Sequence, residues 1–225
     1  RIEKVRSAAR ADPRAYGEEL EALQDLRQRL EAGERARGWA ERGALRARLA
    51  KELQLLTAKK RVYVINVAEE TLPDGGQLAD EVERLAAEEG ATHVVLCAEL
   101  EAELATWSLD EAAAYRAEVG LEGSGLARLA KAGYGVLDLI TFFTITGGEE
   151  VRAWSIERGT RAPQAAGEVH SQMEAGFIRA EVIPFEELRA TGGWQAARER
   201  GIIRIKGRDY EVQDGDVCLF RFSPA

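Results

Sequence analysis

Two short runs rich in β-branched residues, 61–66 (Arg-Val-Tyr-Val-Ile-Asn) and 92–98 (Thr-His-Val-Val-Leu-Cys-Ala), are separated by about 25 residues. Apolar runs of this length, bounded by turn signals, predict buried strands. Between them Leu72-Pro73-Asp74-Gly75-Gly76 supplies a turn, and Leu78, Val82, Leu85 and Ala86 recur at helical spacing. A strand, a helix and a second strand so connected leave few options. The connection is too long for a hairpin and suits a right-handed parallel crossover. The middle of the chain is thereby committed to an α/β sheet.

The flanks read differently. Residues 1–56 predict helices. Asp12-Pro13 is an N-cap followed by proline at the first helical position. Tyr16, Leu20, Leu23 and Leu30 share one face, Gly33 ends that helix, and Leu45, Leu49 and Leu53 mark a returning one. The expectation is two antiparallel helices joined near 33–43, a projecting hairpin. Beyond the parallel unit, Ser108-Leu109-Asp110-Glu111 is a capping box, and a further helix is expected over 124–137. From residue 140 the signals become short strands at 140–146, 151–156, 177–182, 202–205 and 217–222, interrupted by helical turns near Gln172 and over 185–200. Asp214-Gly215 reads as a hairpin turn. The expected fold is α/β plus α+β, divided as 1–56, 57–138 and 139–225.

Bulk properties narrow the function classes. No apolar run of about 18 residues occurs, so no membrane-spanning helix is expected. No signal peptide is visible, although a truncated start would hide one. Two His and two Cys are too few to suggest a zinc site, and Cys97 and Cys218 fit reduced thiols better than a disulfide framework. The net charge of −8 is unevenly spread: residues 1–60 hold 15 Lys/Arg against 10 Asp/Glu, 61–138 hold 5 against 16, and 139–225 hold 11 against 13. An Arg-rich helical segment either contacts phosphate backbones or is a solvated face with ion pairs one turn apart, and both readings stay open. The RNA-contact candidates are Arg27, Arg35, Arg37, Arg42, Arg46 and Arg48, with Glu31, Glu34 and Glu41 as competing partners. Arg152, Arg158, Arg161 and Arg179 could form a second basic edge, in a segment whose net charge is slightly negative.

The most distinctive string is 149–181, EEVRAWSIERGTRAPQAAGEVHSQMEAGFIRAE. Its Val151-Arg152-Ala153-Trp154, Ala162-Pro163-Gln164-Ala165-Ala166-Gly167, His170 and Gly176-Phe177-Ile178-Arg179-Ala180-Glu181 resemble the C-terminal TGS domain of the YchF/Obg-like ATPase family. Arg208-Asp209-Tyr210-Glu211-Val212-Gln213-Asp214-Gly215-Asp216-Val217 continues the likeness, which covers essentially the whole chain to Phe222. The resemblance implies a coiled-coil arm over 1–56, the C-terminal part of a nucleotide-binding (G) domain over 57–138, and a β-grasp TGS domain over 139–225. It further implies ATP hydrolysis in preference to GTP with Mg2+ in the intact protein, a ribosome or ribosomal RNA partner, a cytoplasmic location and a monomeric state.

The phosphate-cradling P-loop, G-x-x-x-x-G-K-[ST], is missing: no Gly-Lys-Ser or Gly-Lys-Thr occurs in these 225 residues. The chain begins at Arg1 inside a charged helical pattern. The expectation is the C-terminal part of a longer nucleotide-binding protein, with hydrolytic and Mg2+-binding residues upstream and no catalytic or metal residue here.

Asn66-Val67-Ala68-Glu69 lies just past the C-terminal end of a strand, the edge at which open α/β sheets bind ligands. From spacing alone, Asn66 is a strand-end cap and Glu69 a surface acid. The resemblance makes them base-contact residues. Translational-type GTPases carry Asn-Lys-x-Asp here, and the Asp accepts from guanine's ring NH and amino group. YchF-like proteins have Asn-x-x-Glu, which this sequence matches. Val67, in place of the Lys, is expected to lie apolar against the base. Cys97-Ala98 occupies the second base-contacting loop, where backbone amides act, and the Cys97 side chain itself reads as a buried small hydrophobe. His170 has no Cys or Ser partner at informative spacing and reads as structural, as does His93. Trp154 and Phe177 fill a core or stack on bases. Two other classes compete: a non-catalytic TGS-type RNA- or ribosome-binding adaptor, and the regulatory TGS part of a synthetase or alarmone enzyme. The strand ending at Asn66 argues against the last.

Overall fold

The structure, a computed structural model, describes residues 1–146 and 150–223. Residues 147–149 and 224–225 lie outside the described residues; they include Glu149 at the head of the 149–181 string and the last two positions of the expected C-terminal domain. The chain divides into two compact units, Arg1–Arg61 and Val62–Ala225.

The first unit is helical: α1 (Ile2–Ala11), α2 (Pro13–Glu31), α3 (Ala36–Ala40) and α4 (Ala44–Glu52). Pro13 opens α2, and the Asp12 carboxylate accepts the Ala15 amide at 3.1 Å. Val5, Ala22, Leu23, Leu26, Ala36, Trp39, Leu49 and Ala50 form the core. The connection expected near 33–43 contains a helix of its own, α3, because Trp39 buries there and donates its indole N–H to Asp25 at 2.9 Å. The expected stripe on α2 is buried only at its centre. Leu23 is 2% exposed, but Tyr16 is 41% and Leu30 39% exposed. With 19 residues, α2 outruns α1 and α4, which have 10 and 9, so its ends find less cover.

In the second unit, β1 (Val62–Asn66), α5 (Gly76–Glu88) and β2 (Thr92–Leu96) make the parallel crossover, with Val62 opposite Thr92 and Asn66 opposite Leu96. Expected burial on both faces is not met by β1, where Val64 is 49% exposed. Among the described residues this sheet has two strands, so neither is interior and β1 keeps an open edge. Three helices follow: α6 (Ala98–Leu104), α7 (Leu109–Glu118) and α8 (Gly125–Leu137). The capping box at Ser108 and Glu111 closes reciprocally at the start of α7. A Cβ on Gly125 would stand 2.9 Å from that of Leu96, so its missing side chain lets α8 settle on β2.

The remainder is a five-stranded mixed sheet. In chain order its elements are β3 (Leu139–Thr146), β4 (Glu150–Glu157), α9 (Ala162–Val169), α10 (Ser171–Ala175), β5 (Phe177–Pro184), α11 (Phe185–Thr191), α12 (Trp194–Glu199), β6 (Arg204–Lys206) and β7 (Asp216–Phe222). The strand order is β4-β3-β7-β5-β6, with β3 and β7 parallel and the other pairs antiparallel. Alternate side chains feed two cores: Ile140, Phe142, Val182, Cys218 and Phe220 pack with α9, whereas Ile145, Ile183 and Val217 pack with Trp194 and Ala197 of α12. Asp214-Gly215 does not join two neighbouring strands as a hairpin turn would, since β7 pairs with β3 and β5. Instead the Asp214 carboxylate accepts the Thr141 amide at 2.8 Å and the Gly215 amide donates to the Thr141 carbonyl at 2.8 Å. The turn signal sets a local reversal, and β3 supplies the partner.

Candidate functional site

Because β1 and β2 are parallel, the loops leaving both strands emerge on one edge. The Val67 amide extends the ladder to the Leu96 carbonyl at 2.9 Å. The Asn66 Oδ1 accepts the Ala98 amide at 2.9 Å and ties the two loops together. Cys97 caps α6: its Sγ accepts the Leu100 amide at 3.5 Å and the residue is 6% exposed, so the thiol faces inward. Glu69 sits half-buried in a single 3-10 turn, Glu69–Thr71. One of its oxygens, Oε1, accepts the Tyr115 hydroxyl from α7. That bond, reinforced by desolvation, raises the Tyr115 pKa above its ordinary value and keeps the phenol protonated. The Tyr115 ring packs edge-on against Trp107, with centroids 5.5 Å apart.

The structure thus brings Asn66, Val67, Glu69, Cys97 and Ala98 to one sheet edge. Asn66 is exposed, and its amide nitrogen has no partner among the described residues, which leaves a donor on the same sheet edge that carries Glu69. A donor and an acceptor so placed can read a base edge. Sequence reasoning missed Tyr115, 46 residues from Glu69. A tyrosine on a capped helix gives no sign of its partner. A separate groove of about 840 Å³ is lined in part by Asp74, Asp80, Glu83, His93, Arg128 and Lys131, and none of the five edge residues lines it. Among the described residues no group of three or more His, Cys, Asp or Glu side chains is placed to hold a metal ion. Nor is any helix among them long and apolar enough to cross a membrane.

Several of the basic candidates are partly neutralised. Arg27 pairs with Glu31 at 2.7 Å, Arg48 with Glu52 at 3.5 Å, and Arg46 lies 3.9 Å from Asp25 and 5.9 Å from the Trp39 ring centroid. Arg37 donates to the Lys59 carbonyl, Arg35 stands at the N-cap of α3, and Arg42 is exposed with no ion pair among the described residues. In the second unit Arg152 pairs with Glu150 at 2.6 Å. Arg179 approaches Glu181 at 3.7 Å, where Arg198 and Arg221 already hold the same carboxylate at 2.9 Å each. Three arginines around one acid leave that patch net positive, and Arg198 and Arg221 were not legible as its members. Arg158 and Arg161 pair with Asp138 and Asp209, each at 3.2 Å. His170 caps α10, its Nδ1 accepting the Gln172 amide at 3.2 Å, and His93 lies 3.2 Å from Glu83. Phe177 is 4% exposed, and Trp154 packs on the same core while donating to Thr144 at 2.9 Å, so both serve packing.

The chain is similar to known proteins. The family model YchF-GTPase_C, described as "Protein of unknown function (DUF933)", matches residues 139–223. The chain is 40% identical over 225 residues to the "Ribosome-binding ATPase YchF" of Bacillus subtilis (strain 168), covering 99% of this chain and 61% of that protein. It is 45% identical over 171 residues to the protein of the same name from Escherichia coli O157:H7, covering 76% of this chain and 47% of that one. Among solved structures, "Structure of the Schizosaccharomyces pombe YchF GTPase" superposes with a TM-score of 0.80 at 27% identity, over 98% of this chain and 60% of that one. The chain therefore spans roughly three-fifths of the first of these relatives and of the solved structure.

Proposed function

This chain belongs to the YchF/Obg-like ATPase family, and from that premise we propose that it is the base-recognising and ribosome-contacting portion of a protein that hydrolyses ATP in preference to GTP. The observation that carries the reading is the edge formed by Asn66 and Glu69, with the two loops tied through the Ala98 amide. Adenine presents a ring-nitrogen acceptor and an amino donor side by side. The free amide nitrogen of Asn66 and the carboxylate of Glu69 match that pair, and Val67 offers an apolar neighbour. The reaction itself belongs to the intact protein. When bound there, Mg2+ neutralises charge on the triphosphate; its ligands, like the P-loop, are assigned to residues outside these 225.

The division into a coiled-coil arm (1–56), part of the nucleotide-binding domain (57–138) and a β-grasp TGS domain (139–225) is part of the same proposal. The five-stranded mixed sheet covered by α9 supports the last of these. Names given to the relatives support a ribosomal partner, which together with the family makes the protein cytoplasmic; we take it as monomeric. Ribosomal RNA is met by Arg27, Arg35, Arg37, Arg42, Arg46 and Arg48 on the arm and by Arg152 and Arg179 on the C-terminal domain.

Calorimetric dissociation constants for ATP and GTP, measured on the intact protein and on Glu69→Asp, test the base site. Shortening the side chain should reduce the ATP preference by about tenfold, the equivalent of one displaced hydrogen bond. An unchanged ratio overturns the assignment of Glu69. The 225-residue chain alone should not turn over ATP; turnover at the rate of the intact protein would refute the division of labour.

A further inference from the structure

Glu69 does not present a free carboxylate. Its Oε1 accepts the Tyr115 hydroxyl, and Oε2 is left for a ligand. Tyr115 is held in turn: its ring packs edge-on against Trp107, and the closed capping box at Ser108 and Glu111 fixes the start of α7. Guanine offers two adjacent donors on its pairing edge, the ring N–H and the amino group, and a free carboxylate takes both with its two oxygens. Adenine offers only its amino group there, which one oxygen satisfies. The Tyr115 bond uses one lone pair of Oε1 and holds the carboxylate's orientation, so Oε2 serves adenine fully, whereas guanine's second donor must share Oε1 with the phenol. Sites that leave a buried polar group unpaired discriminate strongly.

We propose that Tyr115 is a specificity-determining positioning residue, which biases the site toward adenine by occupying one oxygen of Glu69. The inference rests on the base-site reading above and adds a residue to it. Tyr115 touches no nucleotide. It acts by making guanine's second donor share an oxygen that is already engaged.

Tyr115→Phe tests this in the intact protein, since it deletes the hydroxyl and keeps the ring against Trp107. ATP and GTP dissociation constants are measured for the wild type, Tyr115→Phe and Glu69→Asp. GTP binding should tighten by about tenfold in Tyr115→Phe, with ATP binding nearly unchanged. An unchanged ATP:GTP ratio in Tyr115→Phe, with a shifted ratio in Glu69→Asp, overturns the role of Tyr115 and leaves the base site standing. Unchanged ratios in both variants remove the base site as well. Equal weakening toward both nucleotides shows a structural role and overturns the proposal. Wild-type protein labelled in its tyrosine rings gives a reading that needs no variant. GTP must share Oε1 with the phenol or displace it to use both oxygens and should shift the Tyr115 ring resonances, whereas ATP should leave them in place; equal shifts with both nucleotides overturn the proposal.

Discussion

At Gly176 the constraint is space, not backbone freedom. Its φ of −91° suits any residue. A Cβ there would fall on the carbonyl oxygen of Ser223, well inside contact distance, and the Ser223 amide donates to the Gly176 carbonyl at 2.9 Å. Backbone cannot swing aside as a long side chain can. Gly176→Ala should therefore cost about 1–3 kcal/mol, read as a lower denaturant midpoint with an unchanged slope. A destabilisation below about 0.5 kcal/mol would mean that the chain after β7 yields freely. The same reasoning explains why the 149–181 string is so recognisable. Ala162, Ala165, Ala166 and Ala180 are each 0% exposed, and Phe177 is 4% exposed. The string is distinctive because a sheet and a helix pack closely through it. What it discloses is a fold, and the chemistry at Glu69 had to be read elsewhere.

At the scale of elements, Glu181 fastens three of them. It sits on β5 at 7% exposure and accepts from Arg221 on β7 and Arg198 on α12, both at 2.9 Å. The Arg221 guanidinium, against the opposing pull of burial and with help from Arg198, holds the carboxyl below its ordinary value of 4.5. A depressed folded value means that the stabilisation is present above the unfolded value and is lost as pH falls through the folded one. Glu181→Gln should cost about 1–2 kcal/mol near pH 7, a modest figure because the arginines are half-exposed and can turn to water. Urea midpoints near pH 7 and pH 3 should show the gap from wild type narrowing in acid, and a gap that stays constant would show that protonation of Glu181 does not govern it. Elements of this kind were legible where the cause is local. The Asp12-Pro13 start of α2, the capping box of α7 and the five strands of the mixed sheet each announce themselves in a few residues. Helix α9 did not: Ala162, Ala165, Ala166 and Val169 recur at helical spacing, but three of the four are alanines, a weak apolar signal, and the helix is only eight residues long. The order β4-β3-β7-β5-β6, the half-open β1 and the convergence of Arg198 and Arg221 on Glu181 depend on pairings between distant segments, which spacing along the chain does not encode.

Over the whole molecule the charge is sorted along the chain, with a net of +5 in residues 1–60 and −11 in 61–138. Neutralising RNA phosphates releases counterions, so the basic segment should carry most of the salt-dependent attraction to a ribosome. The structure ranks its arginines. Arg27 and Arg48 already have carboxylate partners. Arg42 has no ion pair among the described residues, and Arg37 donates to a neutral carbonyl. Reversing Arg37 and Arg42 together to Glu should lower ribosome co-sedimentation at low salt. It should also flatten the slope of log affinity against log salt by roughly two, close to one for each phosphate no longer neutralised. Arg27→Glu should do less, because a cation already paired has less charge to give. Should binding and its salt slope persist in the double variant, the helical unit is a structural or protein-binding element, and its assignment to RNA is withdrawn.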